Sequence, residues 1–595
     1  MPQLRIALAQ VNATVGDLAA NSAAVVEWTG RAAAVGAAIV VFPEMMLTGY
    51  PVEDLALRAS FVEASVEALR HTAAALAGRG LGGIAVVTGY LDRQAGLAPR
   101  VGVPAGAPRD GAAVLHGGAV VATSAQHHQP NYGVFDEYRY FVPGDVVPVL
   151  RMTASTGEPV DVAVAICEDL WQDGGPVAVA RQAGASLLVV PNASPYERGK
   201  AEPRLALCRR RAAEAGAPLA YVNMIGGQDE LVFDGDSIIV DESGRLLARG
   251  PQFAEALVVA DVTVRKAGPV LTPEEPADAR DGTTMWIRRL VLPGQATPAE
   301  TAVRSGGPVW PRLDDLAEVY AALVTGTRDY VTKNGFGSVI CGLSGGIDSA
   351  LTATIAADAI GPDRVHVVLM PSEYSSEHSV ADAADLVKRQ GLQSRTVPIA
   401  PIVAAFSADL DLHGLAAENL QARVRGMILM GLSNEAGHLV LTTGNKSELA
   451  TGYSTLYGDS AGGFAPIKDV PKTLVWRLAA WRNEQAAAAG ADPPIPENSI
   501  AKPPSAELRP GQLDIDSLPE YAVLDPLLDD YVEKDMGAAE LIAAGHDPAL
   551  VERVITLVDR AEYKRRQYPP GPKITAKNFG RDRRLPITNR WREQC

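Results

Sequence analysis

The sequence predicts an α/β protein built in two halves, and three observations carry that expectation. Short apolar runs alternate with Ala-rich helical stretches up to residue 266, the alternation resumes after residue 311, and a proline-studded break lies between. Buried strands alternating with helices are the pattern of sheets covered by helices. A chain of 595 residues also exceeds what one hydrophobic core supports, so several domains are expected.

In the first half "RIALAQ", "AIVVFPE", "IAVVTGY", "VAVAICED", "SLLVVPNAS" and "LAYVNMI" read as buried strands. "ANSAAVVEWTGRAAAVG" reads as a helix with Asn21 near its start. The break carries Pro269, Pro273, Pro276, Pro293, Pro298, Pro308 and Pro311, and reads as a linker or wrapping segment, although "MWIRRLVL" within it looks packed. Beyond it, "GSVICGLSGGIDSALTATIAADAI" is strand, glycine loop and helix, and "HVVLMPS", "SRTVPI" and "HLVLTTG" supply further strands. A second Pro-rich loop covers 493–511. The expected division is 1–266, a linker at 267–311, and 312–595.

A formal net charge of -16 argues against a general nucleic-acid or acidic-membrane binder, because the long-range field repels both. Cys167, Cys208, Cys341 and Cys595 are widely spaced, without a zinc or CxxC pattern, which suits a reducing compartment. The start "MPQLRIALAQ" enters a strand-like run at once. No apolar run reaches the roughly 18 residues of a membrane span. A cytoplasmic protein is expected.

"VAVAICEDLW" places Cys167 where a buried strand runs out into a polar turn, the position that exposes a nucleophile on a rigid support. Glu44 in "VVFPEMMLTGY" also sits just past a strand end. Alone, the first fits a core cysteine and the second a solvated loop. Between them lies "SAQHHQPNYGVFDE", 124–137, a loop by its turn residues. Glutamate, then a "PNYGVFDE" loop, then "CEDLW" resembles the glutaminase branch of the nitrilase-type amidohydrolases. That resemblance covers about 1–265 and includes "NASPY" and "YVNMIGGQDELVFDGDS". It implies a nitrilase-like αββα sandwich in which Cys167 attacks the side-chain amide of L-glutamine and Glu44 relays protons. It also implies Tyr50, Tyr132, Glu168, Ser194 and Lys200 as glutamine-binding residues.

One departure stands out. The family's oxyanion-stabilising lysine lies four residues before the proline of its "LPNY"; here that catalytic position is Gln126, and the leucine is Gln129. The first lysine of the chain is Lys200. A neutral amide can donate an N–H but brings no charge, so two readings stay open: a glutamine-fed enzyme, or one fed by ammonia with a weakened glutaminase half.

"SGGIDS", 344–349, follows the strand "SVICGL" and opens a helix; it offers backbone N–H groups and hydroxyls to an anion but lacks the Walker lysine. SGGxDS resembles the ATP pyrophosphatases. "TTGNKSELATGYSTLYGDSAGGFAPIKDVPKT", "AAENLQARVRGMILMGLSN" and "EYKRRQYPPGPKIT" with "FGRDRRLPIT" resemble NAD synthetases within that group. Over nearly its whole length the chain is therefore similar to the glutamine-dependent NAD synthetases. This implies a Rossmann-like parallel sheet of the ATP-pyrophosphatase type, with ATP as co-substrate and deamido-NAD+ as acceptor. Gly342, Leu343, Ser344, Gly345, Gly346, Ile347, Asp348, Ser349 and Thr443 would bind ATP. Asn419, Glu448 and Lys564 would bind deamido-NAD+, and Asp348 with Glu448 would hold Mg2+. A homo-oligomer is expected by the same resemblance. "YGDSAGGFAP" reads as a mobile lid, and "KRRQ" and "RDRR" as grips for a pyrophosphate.

Overall fold

The computed structural model describes residues 1–96, 102–269, 272–293, 306–591 and 593. The chain forms two compact units, Met1–Gln228 with Phe233–Leu313, and Asp229–Val232 with Asp314–Cys595.

The first unit opens with β1 (Gln3–Gln10), α1 (Leu18–Ala34), β2 (Ile39–Val41), α2 (Ala59–Gly78), β3 (Ala85–Arg93), β4 (Pro108–His116) and β5 (Ala119–Ala125). It continues with β6 (Val146–Thr153), β7 (Pro159–Val164), α3 (Gly175–Ala183), β8 (Leu187–Asn192), α4 (Ala201–Ala215) and β9 (Leu219–Asn223). The hairpin β10 (Ile225–Gln228) and β11 (Leu231–Asp234) is followed by β12 (Ile238–Val240), β13 (Leu246–Arg249), β14 (Ala256–Thr263), β15 (Glu274–Asp278) and β16 (Thr284–Val291).

Two sheets result, in the orders β14-β1-β2-β3-β4-β5 and β13-β12-β9-β8-β7-β6-β16-β15. Leu4, Ile6, Leu8, Val41 and Val87 of one sheet share a buried cluster with Val162, Val164, Val189 and Val222 of the other. Each such side chain contributes roughly 1.5–3 kcal/mol on burial. Helices α3 and α4 cover the second sheet, with Val177, Ala180, Leu205 and Ala212 packed on Val147, Ala163 and Leu188. Helix α2 packs on β3 and β5, and α1 on α2. The αββα sandwich that the resemblance implies is present.

The linker expectation needs correction. Within 267–311, β15 and β16 pair antiparallel, and β16 pairs parallel with β6, so this segment extends the second sheet. The physical reason is a period-two pattern: Met285 and Ile287 are 0% and 2% exposed while Trp286 is 41% exposed. The first unit therefore ends at Leu313 rather than at 266; of the seven prolines, Pro298 lies outside the described residues.

The second unit runs α5 (Asp315–Lys333), β17 (Val339–Gly342), α6 (Ile347–Ile360), β18 (Val365–Leu369), α7 (Glu377–Gln390) and β19 (Gln393–Thr396). Then come α8 (Ala400–Leu410), α9 (Leu415–Ala436), β20 (Leu439–Val440), α10 (Lys446–Thr451) and α11 (Lys472–Ala488), with further short helices behind them. Its strands are all parallel, in the order β19-β18-β17-β20. The order reverses direction between β17 and β20. Outside the carboxyl ends of those two strands lies the crevice where open α/β sheets bind ligands.

Candidate active sites

In the first unit, Glu44 follows β2 and is 1% exposed. Its Oε2 accepts from the Ala193 N–H at 2.6 Å. Cys167 follows β7 with φ +41°, a left-handed conformation that non-glycine residues hold only under constraint. The constraint is Asp169, whose Oδ2 accepts from Ile166 N–H at 2.9 Å. Its Oδ1 accepts from the N–H groups of His127 and His128 at 3.0 and 2.9 Å. One buried carboxylate thus ties the cysteine turn to the loop carrying Gln126. Sequence reasoning did not single out Asp169; its only signal was an acid two residues past the cysteine.

The Cys167 thiol hydrogen-bonds Glu44; burial, then that carboxylate, push the thiol well above its ordinary value. Burial also pushes Glu44 up. In that contact an ionised Glu44 can take the thiol proton as the sulfur attacks. Glu44, Asp110 and Glu137 bring carboxylate oxygens within 4.8 Å of one another, all buried. Burial first, then Glu44, push Asp110 and Glu137 well up. Among the described residues no lysine or arginine pairs with any of the three.

Gln126 lies just past the end of β5, its backbone N–H donating to Asp110 O at 2.9 Å, and is 1% exposed. Its side-chain amide sits between Glu137 Oε2, at 2.9 Å, and the Glu168 N–H, at 3.3 Å. His127 and His128 do not stand in for a lysine here. Their Nε2 atoms face Asp281 Oδ2 at 2.8 and 3.2 Å. Lys200 Nζ donates to Pro195 O at 3.2 Å and lies over the Trp171 ring.

The sequence-named glutamine residues gather round this point. Tyr50 O–H donates to Glu137 Oε1 at 2.9 Å, and Tyr132 O–H to Glu168 Oε2 at 2.9 Å. Ser194 adjoins Ala193, its N–H held by Asn223 Oδ1 at 2.9 Å. Burial pushes the Glu168 carboxyl up, with the hydrogen bonds from Gln172 and Tyr132 and the Lys200 ammonium opposing it.

In the second unit, Gly342 ends β17, Leu343 follows it, and 344–349 turns into α6 at the switch point. Gly345 has φ +82°, and a Cβ there would lie 2.1 Å from Ser379 O, so only glycine fits. Ser344 Oγ accepts from Gly346 N–H at 3.2 Å and faces Ser349 Oγ at 3.2 Å. Ile347 is buried under the loop, and Asp348 stands on the first turn of α6.

Asp348 Oδ1 accepts from Asn445 Nδ2 at 2.9 Å, and Oδ2 accepts from Lys472 Nζ. Lys472 is 1% exposed and also faces Glu448 Oε1 at 3.6 Å. Asn445 and Glu448 form a capping box on α10, which fixes the carboxylate. Burial first, then Asp348, push Glu448 up to about 8, with Lys472 opposing. One buried ammonium thus serves two half-buried carboxylates. Both keep lone pairs to spare, so the pair fits a divalent cation in charge and donor type. Lys472 was missed from sequence, where it is one lysine in "DVPKT".

Thr443 follows β20 and is half-buried. Asn419 Oδ1 accepts from Thr455 Oγ1 at 2.8 Å. Lys564 Nζ donates to Gly452 O and Ser454 O at 2.8 and 2.6 Å. Both residues hold the turn leaving the Glu448 helix, which gathers the expected dinucleotide residues in one place.

The glycine-rich segment is pinned at its end to β20, with Gly463 N–H donating to Val440 O and Thr442 N–H to Phe464 O, both at 2.8 Å. The arginines of "KRRQ" are held internally: Arg565 and Arg566 pair with Glu562 at 2.8 and 2.9 Å. Arg583 of "RDRR" faces Asp559 at 3.7 Å. Arg565, Arg566 and Arg583 thus each face a carboxylate.

A strand-end cysteine–glutamate pair in one unit and a phosphate loop at a switch point in the other define a carbon–nitrogen hydrolase joined to an ATP-using synthase. Family comparison agrees: residues 5–270 match the carbon-nitrogen hydrolase model and 319–568 the NAD synthase model. Glutamine-dependent NAD(+) synthetases from Rhodobacter capsulatus and Thermotoga maritima are 43% and 40% identical. Their alignments cover 100% of this chain and 99% and 100% of theirs. The solved glutamine-dependent NAD+ synthetase from Acinetobacter baumannii, in complex with ADP, is 38% identical. It aligns over 100% of both chains with a TM-score of 0.69. The chain belongs to the glutamine-dependent NAD(+) synthetase family.

Proposed function

We infer that the chain makes NAD+ by amidating deamido-NAD+ at the expense of ATP, with L-glutamine as the nitrogen source. Family membership favours this over the ammonia-fed alternative. The observation that carries it is the meeting of the SGGIDS loop, Asp348, Glu448 and Lys472 at the switch point of the parallel sheet. Gly342, Leu343, Ser344, Gly345, Gly346, Ile347, Ser349 and Thr443 receive ATP through backbone N–H and hydroxyl groups. Asn419, Glu448 and Lys564 orient deamido-NAD+. Asp348 and Glu448 would hold Mg2+, which supplies charge neutralisation at the phosphates.

The nicotinate carboxylate attacks the ATP α-phosphorus and pyrophosphate leaves. Ammonia then attacks the carbonyl carbon of the mixed anhydride, and AMP leaves with the C–O bonding pair. In the first unit, Cys167 Sγ attacks the glutamine Cδ as Glu44 accepts the thiol proton. Glu44 returns that proton to the departing nitrogen, giving ammonia and a thioester that water hydrolyses to glutamate. Tyr50, Tyr132, Glu168, Ser194 and Lys200 hold the glutamine head group, and Gln126 faces the developing oxyanion. A homo-oligomeric assembly and a cytoplasmic location belong to the same reading, tested by sedimentation and by cell fractionation.

The decisive assay measures NAD+, AMP, pyrophosphate and glutamate together, with glutamine and with ammonium as nitrogen source. Equal AMP and pyrophosphate are expected with both sources. Formation of ADP and phosphate would refute the adenylate route.

A further inference from the structure

The amide of Gln126 touches two groups whose demands conflict. One terminal atom lies 2.9 Å from Glu137 Oε2 and the other 3.3 Å from the Glu168 N–H. With an ionised Glu137, only one orientation satisfies both: Nε2 donates to the carboxylate and Oε1 accepts from the N–H. That orientation stops the backbone N–H following the nucleophile with a carbonyl oxygen. An oxyanion arriving beside Cys167 would meet an acceptor.

With a protonated Glu137 the amide turns over. Glu137 Oε2–H donates to Gln126 Oε1, and Nε2 swings to lie beside the Glu168 N–H. Two donors then converge next to Cys167. The other side of Glu137 suits this form, because Tyr50 O–H donates to Oε1 at 2.9 Å, leaving the proton to Oε2. The surroundings also favour it: Glu137 is 3% exposed and faces Glu44, Asp110, Glu168 and Asp169, with Tyr50 and Cys167. The partner of the Asp110 carboxyl is Glu44 rather than Gln126. Burial of a carboxyl among carboxyls holds the neutral acid, as it does where a protonated acid serves as a hydrogen-bond donor in other enzymes.

Resting on the glutamine-fed reading above, we propose that Glu137 is a positioning residue whose proton turns the Gln126 amide so that its NH2, with the Glu168 N–H, forms the oxyanion hole. No covalent step is added; one proton stays on Glu137 throughout. The hole opens below the pKa of Glu137 and closes as pH rises through it.

The test is the pH profile of glutamate release by the full chain, with ammonium-dependent NAD+ formation measured in parallel. The wild-type rate should fall on the alkaline side by about tenfold per pH unit, toward the roughly 100- to 1000-fold loss of a closed hole. Glu137→Gln carries an amide that cannot ionise and donates to Gln126 Oε1, so its alkaline limb should vanish. Gln126→Leu should lose about 100-fold at the optimum, because no turn of the side chain supplies a donor. A merely structural Glu137 would lower the rate without moving the limb. An alkaline limb that persists in Glu137→Gln overturns the proposal. So does a wild-type chain that makes NAD+ from ammonium yet releases no glutamate at any pH. If Glu137→Gln does not fold, the Gln126→Leu rate decides: activity within about twofold of wild type removes the amide from the hole. Absence of ammonium-dependent NAD+ synthesis would instead fail the functional reading.

Discussion

Glu448→Gln tests the phosphate site through stability as well as activity. Glu448 is pushed from an ordinary value of 4.5 up to about 8, by burial and by Asp348. Above the lower value the unfolded chain has released this proton and the folded chain has not, so stability falls as pH rises. The fall levels off above about 8. At about 1.4 kcal/mol per pH unit the window amounts to roughly 4–5 kcal/mol. The glutamine side chain keeps an oxygen for the Asn445 N–H, which lies 3.3 Å from Glu448 Oε2, so the capping box survives. Lys472 keeps Asp348 as its partner.

The measurement is the melting temperature of the synthetase-unit transition for both proteins at about pH 5 and about pH 9, with EDTA and with Mg2+. With EDTA, Glu448→Gln should gain on wild type by roughly 10 °C between the two pH values, at about 2–4 °C per kcal/mol. Magnesium should raise the alkaline melting temperature of wild type more than that of the variant, because two ionised carboxylates bind a dication better than one. Ammonium-dependent NAD+ formation by the variant should drop. Parallel melting-temperature profiles with EDTA would refute the assignment of a trapped proton to Glu448.

The general plan was legible in the sequence because it is local. The strand–loop–helix of SGGIDS, Cys167 at a strand end and Glu44 past β2 are each fixed by residues a few positions apart. The groups that were missed act across long separations. Asp169 reaches the His127 and His128 N–H groups, and Lys472 reaches Asp348. No spacing rule reports such pairs. The β15–β16 hairpin was hidden differently: its alternation sits among prolines, which read as a linker until β6 supplies a partner. In "KRRQ" two of the cations have a carboxylate, Glu562, in the same turn of chain, which the cluster's charge alone does not report. The Gln126 substitution was visible at once. Its consequence was not, because that depends on Glu137, whose contact with the amide is set by the loop's path through the site.

Four further outcomes follow from the same geometry. Asp348→Asn should abolish NAD+ formation with either nitrogen source, since the loop loses a charged ligand for the cation; wild-type turnover would remove Asp348 from the site. Lys472→Met removes the buried ammonium that Asp348 and Glu448 share and should cost about 3–5 kcal/mol in urea unfolding; a change within about 1 kcal/mol would mean that the ion pair adds nothing to stability. Cys167→Ala should end glutamate release, measured by coupled glutamate oxidation. The double change Gln126→Lys with Gln129→Leu, which restores the family's residues at both positions, should raise glutamate release by about 10- to 100-fold at neutral pH. A charged donor hydrogen-bonds more strongly than an amide and counters the oxyanion's charge. Glu44, Asp110 and Glu137 crowd that place with carboxyl groups, so the new ammonium gains partners rather than a desolvation penalty alone. It also needs no proton on Glu137 to point the right way, so the alkaline limb should disappear together with the rate deficit. A faster enzyme that keeps the limb would mean that the limb belongs to the Cys167–Glu44 pair, and that the amide of Gln126 never turned.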